Sequence, residues 1–146
     1  MRICVASDHA GFTLKNELVE DLRAAGHDVT DLGAHSAQSV DYPDFGRDVA
    51  RSVAASGGLG VLVCGTGIGM SMAANKVKGV RAALCTSEFE ARMARSHNDA
   101  NVLCLGQRVV GPGMARAIVE AFLATPFEGG RHAQRVEKLN ALDGER

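Results

Sequence analysis

The chain lacks most of what would mark it for a charged partner, a membrane or a metal framework. Its 146 residues include 16 Lys or Arg and 17 Asp or Glu, for a formal charge of −1. That balance leaves neither a basic footprint for nucleic acid nor an acidic tail. No apolar run approaches the roughly 20 residues of a membrane-spanning helix, so no membrane partner is expected. The opening MRICVASDHAG has neither the apolar core nor the cleavage site of a secretory signal, and the expected location is cytoplasmic. Cysteine is limited to Cys4, Cys64, Cys85 and Cys104, with no C-x-x-C pair and no zinc-framework spacing. Three of the four sit in or at the end of apolar runs and read as small buried hydrophobes.

What is present is an ordinary globular composition, 46 % apolar and 23 % charged. The length suits one domain, residues 1–146, able to bury a core without disulfides or metals. Short apolar runs alternate with amphipathic stretches. Strands are expected at 2–7, 27–32, 61–64, 80–85 and 102–105. Helical spacing follows each, as in Phe12, Leu14, Leu18 and Leu22 before Gly26. A polar loop is expected through Pro43, and a last helix at about 131–142. Five strand–helix alternations define an α/β domain with a parallel sheet covered on both faces, in the expected order 2-1-3-4-5. Ligands of such sheets bind beyond the carboxyl ends of the strands where the order reverses, here between the first and third.

The loops at those two positions are the most chemically loaded of the chain. The first strand ends in Ser7-Asp8-His9-Ala10-Gly11. The third ends in Cys64-Gly65-Thr66-Gly67-Ile68-Gly69 and runs into the helix-forming MSMAANK. The glycines do not form a dinucleotide fingerprint, because the sixth position is Met70 from Gly65 and Met72 from Gly67. They do not form a P-loop either, since Met70-Ser71 follows Gly69. A tight turn alone would use fewer glycines. The remaining reading is a ring of backbone N–H groups at a helix start, aimed at a phosphate or at an oxyanion formed during reaction. A thiol in such a place is poised toward thiolate. It would serve either to remove a proton beside a carbonyl, with Thr66 moving a proton between the two oxygens, or as a covalent nucleophile with His9 or His97 as its base.

Three further clusters stand out. His97-Asn98-Asp99 precedes the fifth strand; a lone histidine there would be unremarkable, but three polar groups in a row are less so. Arg131 and Arg135 share one helical face and suit a phosphate, with a solvated basic face as the bland alternative, and Arg108 follows the fifth strand. Tyr42, the only tyrosine, lies in Asp41-Tyr42-Pro43 and reads most simply as a packing ring in a turn.

Taken together, DHAG (8–11), DYPD (41–44), CGTGIGMSMAANK (64–76), RAAL (81–84), HNDANVL (97–103) and GGRHAQRV (129–136) resemble the B-type ribose-5-phosphate isomerases, from about residue 2 to about 142. The resemblance implies a Rossmann-like three-layer α/β/α sandwich, a homodimer or dimer of dimers, and no metal or cofactor. It also implies interconversion of ribose 5-phosphate and ribulose 5-phosphate, a pentose phosphate pathway step, through an enediolate. By that resemblance Cys64 is the base at C2. Gly65, Thr66, Gly67, Ile68 and Gly69 supply the oxyanion site, with Thr66 assisting proton movement. His97 opens the sugar ring with help from Asp8, and Asn98 binds near the enediolate. His9, Arg108, Arg131 and Arg135 hold the phosphate, and Tyr42 lines the pocket. The site is shared between subunits, with His97, Asn98 and Arg108 reaching into the neighbour. Close relatives act on allose 6-phosphate or galactose 6-phosphate, and others on tetrose phosphates. A non-enzymatic sugar-phosphate sensor would need the donors but not the thiol.

Overall fold

The computed structural model describes residues 1–145; Arg146, the last residue of the expected 1–146 unit, lies outside them. The strands are β1 (Arg2–Ser7), β2 (Asp28–Asp31), β3 (Leu59–Cys64), β4 (Ala82–Leu84) and β5 (Val102–Gly106). The helices are α1 (Phe12–Ala24), α2 (Tyr42–Ser56), α3 (Ile68–Asn75), α4 (Glu88–Asn98), α5 (Pro112–Ala124) and α6 (Arg131–Ala141). All ladders are parallel.

Period-2 alternation sorts the strand residues between two cores. Ile3, Val5, Val61, Val63, Leu103 and Leu105 face one side, where α1, α4 and α5 supply Leu18, Ala91, Ile118 and Phe122. Cys4, Ala6, Leu62, Cys64, Val102 and Cys104 face the other, against Val49 and Val53 of α2 and Met70 and Ala74 of α3. Because both faces are covered, the interior strands β3 and β5 are apolar throughout, whereas the edge strand β2, Asp28-Val-Thr-Asp31, alternates. The result is the expected three-layer α/β/α sandwich.

The strand order is 2-1-3-5-4, not 2-1-3-4-5. Burial explains the exchange. All five residues of β5 are buried, whereas β4 is three residues long and only half-buried along its length. The longer apolar strand occupies the interior position beside β3, and Ala82–Leu84 forms the edge. The reversal of order between β1 and β3 is unaffected.

Two boundaries also differ from expectation. Tyr42 and Pro43 belong to the first turn of α2 rather than to the preceding loop. Proline is tolerated there because the first N–H groups of a helix have no intrahelical partner. His97 and Asn98 are the last two residues of α4, and the loop begins at Asp99, a left-handed cap with φ 47°.

Candidate active site

β1 and β3 deliver their loops to one cleft of about 240 Å³, lined by Asp8, His9, Tyr42, Cys64, Gly65, Thr66, Gly69 and Arg108. A larger groove of about 610 Å³ between α1 and α5 contains none of the expected site residues. The cleft lies at the carboxyl ends of the strands, at the switch point.

Each wall has a local cause. Asp8 is buried, and its Oδ1 accepts the N–H groups of Ala10 and Gly11 at 2.9 and 3.1 Å. This caps the single 3-10 turn His9–Gly11 and fixes both Asp8 and His9 at the strand end. His9 Nδ1 accepts the Val40 N–H at 3.2 Å, so the ring's donor is Nε2. Tyr42 is brought in by the start of α2, and its ring lies where a side chain on Gly69 would be, 2.7 Å from that glycine's notional Cβ. Arg108 hydrogen-bonds through its N–H to Gly65 O at 3.0 Å, and its Nη1 lies 3.2 Å from where a Gly65 Cβ would stand. Gly67 alone of the three loop glycines needs its conformational freedom, with φ 80°. Three glycines in five residues thus answer three constraints: one turn and two close approaches.

The loop divides its donors. Gly67 N–H points at Cys64 Sγ, 3.1 Å away, and Ile68 N–H at Thr66 Oγ1, 3.3 Å away. The first backbone bond of α3 runs from Ser71 N–H to Gly67 O at 3.0 Å. Gly69 and Met70 therefore have no carbonyl acceptor among the described residues, and their N–H groups, like those of Gly65 and Thr66, are free for a ligand oxygen. Met70 was not among the expected residues; only the position of the first helical bond reveals it. No imidazole hydrogen-bonds to Cys64 Sγ among the described residues, which disfavours a Cys–His nucleophilic pair. Burial raises the thiols of Cys4, Cys85 and Cys104, Cys85 to about 12, and is the largest cause in each.

The rest of the expected residues form a second group. His97 stacks on His132, with ring centroids 4.1 Å apart. Asn98 is exposed beside the hollow between α4, β4 and α6. Arg131 and Arg135 are exposed on the first turns of α6 and make no ion pair among the described residues. His132 itself is pushed below its ordinary pKa, first by burial and then by the charges of His97, Arg131 and Arg135. The sequence reading took only the arginines from GGRHAQRV and passed over His132. Arg108, expected beside His97, lies instead in the Cys64 cleft, because the carboxyl end of β5 pairs with Cys64 through Gly106. α4 runs antiparallel to the strands, so its last residues lie at the opposite end of the sheet. The length of β5, about 13 Å over four residue steps, separates the two groups within one chain.

A parallel α/β sandwich that presents a thiol and unpaired helix-start N–H groups to one cleft at its switch point is a Rossmann-like small-molecule enzyme. The chain belongs to the Ribose/Galactose Isomerase family, whose model matches residues 3–139. It is 47 % identical to ribose-5-phosphate isomerase B of Escherichia coli, over 99 % of this chain and 98 % of that one. The solved structure of Clostridium thermocellum ribose-5-phosphate isomerase B superposes with a TM-score of 0.98 at 50 % identity, covering 99 % of both chains. Ribose-5-phosphate isomerase B of Mycoplasma genitalium, solved with bound ribulose-5-phosphate, gives 0.96 at 47 % identity, covering 99 % of this chain and 97 % of that one.

Proposed function

We propose that the protein interconverts ribose 5-phosphate and ribulose 5-phosphate by proton transfer through an enediolate. The observation that carries this reading is the placement of Cys64 Sγ in a cleft whose opposite resource is the pair of uncommitted N–H groups of Gly69 and Met70. A base and an oxyanion site in one cleft are what proton abstraction beside a carbonyl requires.

In this mechanism the Cys64 thiolate takes the C2 proton of the open aldehyde and returns it to C1. The Gly69 and Met70 N–H groups stabilise the negative charge that develops on the substrate oxygens. The exposed Thr66 hydroxyl moves a proton between O1 and O2. His9 donates to the phosphate through Nε2, and Arg108 supplies a charge at the same wall. Tyr42 closes the side of the cleft.

Ring opening needs a further acid–base group. His97, with Asn98, Arg131 and Arg135, lies at the other end of the sheet and cannot reach a sugar held by Cys64 in the same chain. We therefore assign the complete site to two copies related by a twofold axis, each lending its α4–α6 group to the other's cleft. An isologous contact of this kind creates two equivalent sites. In it the second copy's His97 opens the ring with Asp8, and its Arg131 and Arg135 complete the phosphate site. Four free cysteines and the lack, among the described residues, of any helix long and apolar enough to cross a membrane fit a reducing, cytoplasmic setting.

The test is the direct absorbance of ketose formed by purified, chelator-treated protein from ribose 5-phosphate, galactose 6-phosphate and allose 6-phosphate. The reading expects the five-carbon substrate to have the highest kcat/KM. A preference for a six-carbon sugar would replace the substrate while keeping the chemistry. No turnover of any aldose phosphate would leave only a sugar-phosphate sensor.

A further inference from the structure

α6 carries a residue that the isomerase mechanism does not use. His132 is buried, at 6 % exposure, and its ring lies at 11° to that of His97, 4.1 Å away. Both imidazoles address one carboxylate oxygen. Glu128 Oε2 lies 3.2 Å from His132 Nε2 and 3.8 Å from His97 Nε2. Three potential ligand atoms fall within 4.8 Å of one another. The backbone holds this arrangement together. Glu128 N–H donates to Ser96 O at 3.0 Å, which ties the segment before α6 to the last turn of α4, and His132 N–H donates to Gly129 O at 3.0 Å.

Two imidazoles and a carboxylate are the donor set of a borderline divalent cation, zinc above all, with copper and nickel also suited. Zinc bonds of about 2.0–2.2 Å at the tetrahedral angle put ligand atoms about 3.4 Å apart. The His132–Glu128 separation already matches. The His97 separation closes by small rotations of two side chains that are 36 % and 58 % exposed. The solvent side stays open for a fourth ligand. Arg131 and Arg135 stand close by and oppose a cation, which favours an exchangeable ion over a resident one.

We infer that His97, Glu128 and His132 form a zinc site whose occupation ties up the His97 imidazole and inhibits the isomerase. The inhibitory half rests on the reading of His97 as ring opener; the binding half does not.

The experiment has two arms, both on the full-length protein. Zinc binding is measured by calorimetry, with cobalt as a spectroscopic substitute, on Cys64→Ala so that the cleft thiol cannot serve as a ligand. One ion per chain is expected. Adding Glu128→Ala or His132→Ala should weaken binding at least about tenfold, the lower end of what even a ligand's supporting partner contributes. Absence of binding to Cys64→Ala, or binding unaffected by Glu128→Ala, overturns the site. In the second arm zinc is added to active wild type and to Glu128→Ala, a position to which the proposed mechanism assigns no step, each compared with its own zinc-free rate. Wild type should be inhibited and restored by chelator, with the half-inhibitory concentration at least about tenfold higher in Glu128→Ala. Equal inhibition of the two proteins places the ion elsewhere and overturns the proposal. Binding at Glu128 without loss of wild-type turnover overturns the inhibitory half.

Discussion

Cys64 differs from the other three thiols in what surrounds it. Cys85 and Cys104 are enclosed by core residues that favour the neutral thiol, and burial outweighs the Ser52 hydrogen bond at Cys4. Cys64 ends its strand at a cleft and receives the Gly67 N–H. Iodoacetamide at pH 8 should therefore modify Cys64 first, and ribose 5-phosphate should slow that reaction; mass spectrometry of peptides reads both. Preferential labelling of Cys4, Cys85 or Cys104 would contradict the account. Cys64→Ala should lose at least the roughly 10²–10⁴-fold that a positioned acid–base group contributes. Solvent exchange of the C2 proton should stop as well, while sugar-phosphate binding persists by calorimetry. Near-normal exchange would remove Cys64 from the base role. At this scale the sequence was informative about residue types and silent about their partners. That Cys64 stands apart follows from its place at the end of VLVC. That Gly69 and Met70 are among the uncommitted donors depends on where the first helical bond forms, and no side chain encodes that.

Elements position these residues, and two of their contacts can be probed separately from the chemistry. Lys15 of α1 is 1 % exposed and reaches Asp31 of β2 at 2.9 Å. Asp31 Oδ1 also accepts the Gly33 N–H at 2.9 Å, and Gly33 O accepts the Ser7 N–H at 2.7 Å, directly before Asp8. The pair thus braces the β1 side of the cleft. Asp31→Ala strands a buried ammonium and should cost about 3–5 kcal/mol in urea unfolding. Lys15→Met removes the buried charge and keeps the stem, so it should cost less. A larger loss from Lys15→Met would show that the ion pair itself, and not the stranded charge, dominates. On α6, Arg131→Ala and Arg135→Ala should each weaken substrate binding by on the order of 2 kcal/mol, because in the proposed site both serve one phosphate and neither has a carboxylate partner among the described residues. Binding unchanged in both variants would leave them a solvated basic face. Element boundaries were legible wherever apolar spacing was clear, as from Phe12 to Leu22. They were not at Tyr42-Pro43, because proline interrupts a helix interior but is at home in a first turn.

In the whole molecule, the lateral order of strands was the least legible feature. Alternation of runs dictates a parallel sheet with a switch point between β1 and β3. It does not say whether β4 or β5 lies next to β3. That choice follows from the burial of VLCLG against the half-exposed AAL, a comparison that only the packed sheet makes plain. The same geometry separates Cys64 and His97 across the sheet, although the motifs carrying them read as one site in the sequence. Spacing alone did not show this separation, because it depends on α4 running antiparallel to the strands; the resemblance implied it for His97 and Asn98, which it gave to the neighbour's site, but misplaced Arg108.

The claim that one working site is assembled from two copies has a direct test. Cys64→Ala and His97→Ala proteins, each inactive alone, are mixed under conditions that exchange subunits, with exchange verified by mass spectrometry of differently tagged chains. In a mixed dimer with shared sites, one cleft carries both lesions and the other carries neither. Random exchange of equal amounts should therefore restore about one quarter of wild-type turnover of ribose 5-phosphate. Verified exchange with no activity above that of the separate variants would contradict the shared site and require Cys64 to work without the partner's His97.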